Sequence, residues 1–230
     1  MAKTEQGSFS VKYHHIDAPT KTDEEWGKAY KQRKLLVPTE LGPADRLDAY
    51  RSPELWHLSE HTWFAWRKLD GENIRVHWDG EQALWNGKTD NFVCDANFKK
   101  YMEETFPEEL FEEKFGRDKE VTLFGERVGT KVQKNELNLD HNEFVLFDVL
   151  IGNIWLDERQ IQDVANFFNL HTPISFGAAM RGSLDWLIER VANGEVKEWE
   201  GIVATPCGGF RDRAGNRIIV KIKNKDYLRK

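Results

Sequence analysis

The sequence predicts an α+β protein, with antiparallel sheets flanked by helices and a single domain over residues 1–230. Three observations predict it. Between Asn73 and Trp78, Ile74, Val76 and Trp78 alternate with Arg75 and His77, the period of a half-buried strand. Asp79-Gly80 then offers a hairpin turn, and "QALW" at Gln82–Trp85 returns as the partner strand. Helical stretches with their own caps and glycine stops lie between further strand runs.

Taken in order, residues 1–51 contain Pro19, Pro38 and Pro43 and read as an irregular segment wrapping a core built from residues 52–230. Ser52-Pro53 reads as an N-cap followed by proline in the first turn, opening a short helix toward His61. Strands begin at Trp63, and Asp70-Gly71 is expected to join two strands of a meander. Asn97 to Phe115 reads as helix, broken near Pro107 and stopped at Gly116. "VTLFGERVG" (Val121–Gly129) and "FVLFDVLIGNIWL" (Phe144–Leu156) read as strands, the second apolar enough to be buried on both faces. Asp157 caps a helix with Ile161, Val164, Ala165 and Phe168 on one face. Ser183 caps another, with Leu184, Leu187, Ile188 and Val191 inward and Gly194 as its stop. "EGIVATP" (Glu200–Pro206) and "RIIVKIK" (Arg217–Lys223) close the chain as strands.

Composition excludes several classes. No run approaches the ~18 apolar residues of a membrane span, and "MAKTEQGSFSVKYHH" has no secretory core, so the cytoplasm is the expected compartment. Cys94 and Cys207 fit no CxxC spacing and read as reduced packing residues. The net charge of −6 is unevenly placed. From Gly201 to Lys230, eight Lys/Arg, among them Arg211, Arg213, Lys221 and Lys223, face two aspartates, leaving this segment at +6 and the remainder at −12. A local basic surface of this kind suits a polyanion, because phosphate contacts come from patches and not from net charge. The plain alternative is a solvated basic tail. Its counterpart, "YMEETFPEELFEEKFG" from Tyr101, reads as a solvated acidic helix pair.

Two strings imitate known sites. "HLSEH", His57–His61, matches a zinc pattern by letter, but a strand begins within three residues and no full helix can carry both histidines. "NGKT", Asn86–Thr89, imitates the end of a P-loop, yet Gln82 stands where the first glycine is required and a strand precedes it.

Five further strings form an ordered set: "KLDGEN" at Lys68–Asn73, "LFGE" at Leu123–Glu126, "FVLFDV" at Phe144–Val149, "EGIV" at Glu200–Val203 and "VKIK" at Val220–Lys223. In that order and at these separations they resemble motifs I, III, IIIa, IV and V of the lysine nucleotidyltransferases, which include RNA ligases, DNA ligases and mRNA capping enzymes. The resemblance is greatest to phage-type RNA ligases related to the second RNA ligase of phage T4, and to small stand-alone RNA-ligase-domain proteins of bacteriophages. Asn73, where DNA ligases carry Arg, points to the RNA-ligase branch. So does "GKTDN" at Gly87–Asn91, similar to the family's Gly-Arg-Thr string with Lys88 in place of arginine. The resemblance spans roughly Lys12 to Asp226 and implies the adenylation-domain fold of that superfamily.

The chemistry suits such a set. An amine attacks phosphorus only when deprotonated, and a free lysine near pKa ~10.4 is rarely so at neutral pH; burial and neighbouring cations lower that value. Lys221, Lys223, Lys88 and a bound metal are the expected sources of positive field around Lys68. They would also meet the triphosphate as pyrophosphate leaves. The resemblance implies Lys68 as nucleophile, Lys221 and Lys223 as catalytic cations and Glu200 as ligand of Mg2+, with Mn2+ as an alternative. It implies Glu126 on the ribose hydroxyls and Phe147 stacked on adenine, with Asp70, Gly71, Asn73, Lys88 and Asp148 shaping the nucleotide pocket. The implied function is ATP-dependent RNA ligation through lysyl-AMP, joining 5'-phosphate and 3'-hydroxyl ends in RNA repair, in a host cytoplasm if the chain is phage-encoded. The substrate is RNA, or an RNA/DNA hybrid or nicked duplex, with Arg211 and Arg213 in the groove for it.

Two departures stand out. The chain ends seven residues after Lys223, so no OB domain with motif VI is expected, and a protein partner would replace the missing C-terminal domain. Arg67 stands where many relatives carry Glu. A minimal DNA ligase, a capping guanylyltransferase and a nucleotide- or RNA-end-binding module without turnover remain as alternatives.

Overall fold

The computed structural model describes residues 5–22, 37–41, 49–89, 91–135, 137–176 and 179–227. Pro43, Asp90, Arg229 and Lys230, which figured in the sequence reading, lie outside the described residues. In chain order the strands are β1 Glu5–Gln6, β2 Trp63–Lys68, β3 Glu72–Trp78, β4 Ala83–Gly87, β5 Val121–Gly129, β6 Asn142–Ile151, β7 Ile154–Trp155, β8 Ala179–Gly182, β9 Gly201–Pro206 and β10 Val220–Lys223. The α-helices are α1 Pro53–His57, α2 Ala96–Thr105, α3 Glu108–Phe115, α4 Glu158–Phe167, α5 Leu184–Ala192 and α6 Asn224–Tyr227. The chain divides into two compact units: Met1–His14 with Leu69–Phe176, and His15–Lys68 with Gly177–Lys230.

The first unit is a six-stranded sheet in the order β1-β4-β3-β5-β6-β7. Apart from the parallel β1–β4 pair, its ladders are antiparallel. The expected alternation of β3 puts Ile74, Val76 and Trp78 into a core with Leu123, Phe144, Leu146 and Val149, against Phe98, Met102 and Phe111 of α2 and α3. The acidic pair thus packs one apolar stripe, and Glu108 Oε1 accepts from Ala83 N of β4 at 3.3 Å. Asp95 caps α2 through Phe98 N, and Asp157 opens α4 with a reciprocal capping box to Gln160. The face of Ile161, Val164, Ala165 and Phe168 is buried as expected.

The second unit is a four-stranded antiparallel sheet, β10-β9-β2-β8. One face, carrying Trp63, Ala65, Ile202, Ala204, Val220 and Ile222, packs on Leu184, Leu187, Ile188 and Val191 of α5. Ser183 caps that helix by accepting from Trp186 N. Helix α1 is capped by Ser52 as expected but ends at His57, short of His61. The His61 imidazole instead meets the Cys207 carbonyl at 2.7 Å, so the two histidines do not share a helix.

One expectation is overturned. Asp70-Gly71 does not close a meander: β2 pairs with β8 and β9, and β3 pairs with β4 and β5, so the turn passes from one sheet to the other. Asp-Gly favours a chain reversal but does not choose the strand's partner. β2 is buried along almost its whole length and takes a neighbour on each edge from far along the chain. Asp79-Gly80 does form the β3–β4 hairpin, with Asp79 Oδ1 accepting from Glu81 N and Gln82 N.

Candidate active site

In the second unit, strand register assembles the lysines. Lys68 pairs with Gly201, which pairs in turn with Lys223, so the two lysines flank one position across three adjacent strands. Directly paired residues share a face. That face is opposite the Trp63/Ala65 core and continues through Lys221, two residues before Lys223. The central position must be small. A Cβ on Gly201 would stand 2.2 Å from the Ile222 carbonyl oxygen and 2.7 Å from Lys223 Cα.

Glu200, immediately before Gly201, reaches both ammonium groups. Its Oε2 accepts from Lys68 Nζ at 2.5 Å and its Oε1 from Lys223 Nζ. The three side chains are 24%, 19% and 18% exposed for Lys68, Glu200 and Lys223, enough shielding for charge-assisted bonds to matter. Burial alone would raise the Glu200 carboxyl, but the hydrogen bonds from Lys223 and Lys68 outweigh it and hold the group below its usual value. Lys221 is held below the ordinary lysine value, first by partial burial and then by the charges of Lys223 and Lys68. Its backbone N–H is tied to the Asp17 carbonyl at 3.0 Å.

Asn224, which the sequence reading missed, fixes Glu200. Its buried amide donates to the Val196 and Trp199 carbonyls at 2.7 and 2.6 Å, and its backbone N–H donates to the Glu200 carbonyl at 3.0 Å. The only sequence signal was an Asn directly after "VKIK". Arg67 points to the core side of β2, 8% exposed, with its guanidinium 5.8 Å from the Trp199 ring. Adjacent strand residues face opposite ways, so its side chain leaves the lysine face unaltered.

The first unit assembles the remaining motif residues. Asn73 on β3 pairs directly with Glu126 on β5, so both side chains share a sheet face. Among the described residues Asn73 Oδ1 is buried with no hydrogen-bond partner, an acceptor that suits a hydroxyl or amino group of a ligand. Gly71 lies flat on β5: a Cβ there would stand 2.2 Å from the Arg127 carbonyl oxygen and 2.7 Å from Glu126 Cγ. Asp70 is half-buried in the link before it, and Lys88 is exposed, one residue past β4.

Phe147 and Asp148 are set by a bulge. Phe124 pairs with Asp148 and Gly125 with Leu146, so Phe147 is an extra residue in β6. Leu146 and Val149 both enter the core, while Phe147 and Asp148 both meet Tyr13 on the opposite face. Phe147 is partly exposed, whereas Asp148 is fully buried.

Arg211 and Arg213 lie on the loop between β9 and β10 in the second unit. Asp212 braces that loop by accepting from Ala214 N and Asn216 N. Arg211 donates to the Gly215 carbonyl at 2.9 Å, and Arg213, 93% exposed, is 3.8 Å from Glu54. No helix among the described residues is long and apolar enough to cross a membrane.

The fold is that of known RNA ligases. A Naegleria gruberi RNA ligase variant solved with ATP and manganese superposes with a TM-score of 0.56 at 16% identity, covering 76% of this chain and 53% of that one. The same organism's enzyme with pyrophosphate superposes with a TM-score of 0.57 at 16% identity, covering 96% of this chain and 62% of that one. A third Naegleria variant, with AMP and manganese, gives a TM-score of 0.56 at 16% identity, covering 76% and 53%. The chain therefore spans about half to three-fifths of the length of these structures. Among curated proteins, none is similar enough to match the sequence. The RNA ligase family matches residues 61–223, from just before β2 to the end of β10, and the chain belongs to that family.

Proposed function

We propose that the chain is an ATP-dependent RNA ligase core of the phage type, acting through a lysyl-AMP intermediate on Lys68. The observation that carries this is the register-fixed set of Lys68, Glu200 and Lys223, with Lys221 on the same strand face. Lys68 Nζ attacks the α-phosphorus of ATP, the bond from that phosphorus to the bridging oxygen breaks, and pyrophosphate leaves. An ammonium has no lone pair, so Lys68 must lose a proton and its Glu200 contact before it attacks. Lys221 and Lys223 offset the charge that develops on the departing oxygens. AMP then passes to a 5'-phosphate, and a 3'-hydroxyl displaces it to seal the strand.

Glu126 holds the ribose hydroxyls and Phe147 stacks on adenine. Asp70, Gly71, Asn73, Lys88 and Asp148 shape the nucleotide pocket; the buried Asn73 Oδ1 supports this. Glu200 would hold the metal ion. Among the described residues no three His, Cys, Asp or Glu side chains form a metal cage, and Mg2+ commonly binds through one or two carboxylates plus substrate phosphates. A divalent ion, Mg2+ or Mn2+, would supply charge neutralisation at the phosphates. The Naegleria enzymes solved with ATP or AMP and manganese support this cofactor pair.

Both units belong to one nucleotidyltransferase domain in this reading, as a family match crossing both of them supports. Arg211 and Arg213 contact RNA, and the setting is cytoplasmic RNA repair. Incubation with α-labelled ATP or GTP followed by a denaturing gel tests the reading. Label from ATP that is absent in Lys68→Ala supports it; label from GTP indicates capping, and no label indicates a binding module. Sealing of nicked RNA against nicked DNA then separates RNA ligase from DNA ligase.

A further inference from the structure

We propose that Tyr13 is a positioning residue for the nucleotide base, holding Phe147 and Asp148 in place from the N-terminal arm. The proposal rests on the reading that Phe147 stacks on adenine. Phe147 is the extra residue of a bulge, so no cross-strand partner fixes its direction. Tyr13 does so from the side: its ring meets Phe147 nearly edge-to-face, with centroids 5.2 Å apart and planes at 82°. The same ring packs on Phe124 at 5.0 Å and on Trp155 at 5.6 Å, and its hydroxyl donates to Asp148 Oδ2 at 2.8 Å. One side chain thus touches both bulge residues, through its ring for one and its hydroxyl for the other.

The arm that brings Tyr13 there is anchored firmly. Gly7 N donates to the Trp85 carbonyl at 3.1 Å, and Asn86 Nδ2 donates to the Gly7 carbonyl at 2.8 Å. Arg75, fully buried, donates to the Phe9 and Val11 carbonyls at 3.1 and 2.5 Å and to Gly87 at 2.9 Å, with the Phe9 ring 4.4 Å from its guanidinium. A buried guanidinium is tolerated only when its donors are used. Spending them on arm carbonyls fixes residues 9–11 on the sheet, two residues before Tyr13.

The test is calorimetric titration of the full chain with ATP and, separately, with inorganic tripolyphosphate, which has no base to stack. Tyr13→Ala should weaken ATP roughly threefold to tenfold, the size of one aromatic pair, and leave tripolyphosphate unchanged. Tyr13→Phe, which keeps the ring and removes only the hydroxyl bond to Asp148, should weaken ATP less than Tyr13→Ala does and leave tripolyphosphate unchanged. Equal weakening of ATP and tripolyphosphate would mark a merely structural role and overturn the proposal. Unchanged ATP binding in Tyr13→Ala, alongside weakened binding in Phe147→Ala, would overturn it while leaving base stacking intact. Unchanged ATP binding in Phe147→Ala would remove the stacking reading itself.

Discussion

Replacing Glu200 with alanine removes a carboxylate that accepts from both Lys68 and Lys223. Each charge-assisted bond contributes about 1.5–3 kcal/mol when shielded. With the three side chains about a fifth exposed, the lower end of that range applies. Two bonds sharing one acceptor at that end give about 2–3 kcal/mol, because the variant removes the carboxylate that holds the two ammonium groups side by side. For a chain of this length that lowers the melting temperature by about 4–12 °C. The loss should depend on pH. The Glu200 carboxyl is held below its usual 4.5, so its contribution is full above that value and disappears as the pH falls through the lowered one. Thermal unfolding of wild type and Glu200→Ala between pH 7 and pH 3 should therefore show a gap that closes on the acid side. A variant that melts within 1 °C of wild type at pH 7 and low salt, or a gap that widens with acid, would refute the triad as a stabilising network.

Gly71→Ala should cost about 1–3 kcal/mol, the usual price of overpacking, because the new Cβ meets the Arg127 carbonyl oxygen and Glu126 Cγ. Lysyl-AMP formation should fall with it if Glu126 is displaced, and labelling rate against melting temperature checks both. Arg211→Ala with Arg213→Ala should leave Lys68 labelling by ATP intact and flatten the salt dependence of RNA binding by about 0.7 per lost phosphate contact; an unchanged slope places the RNA elsewhere. Lys68→Ala should take no label and melt no more than a few degrees from wild type.

Legibility followed the range of the interaction. The alternation in β3, the Asp79-Gly80 hairpin, the caps Ser52, Asp157 and Ser183, and the buried faces of α4 and α5 all came from neighbours a few residues apart. What failed or went unseen depends on partners far along the chain. The Asp70-Gly71 link was misread because β9, some 130 residues later, takes β2. Tyr13 and Arg75 carried no signal, since one lies in an irregular arm and the other looks like the polar face of a half-buried strand until the arm covers it. Asn224 acts through carbonyls 25 and 28 residues away.

The sequence by itself determined which residue types are present for phosphoryl chemistry and in what order, because motif spacing and strand period are properties of the covalent chain. Only the tertiary structure decided that Lys68 and Lys223 would share one carboxylate, since that depends on three strands meeting in register at Gly201. It also decided that a bulge would turn Phe147 and Asp148 to the same face, where a residue from the N-terminal arm holds both. Cross-strand register and bulges are fixed by packing between distant segments, and no local pattern encodes them.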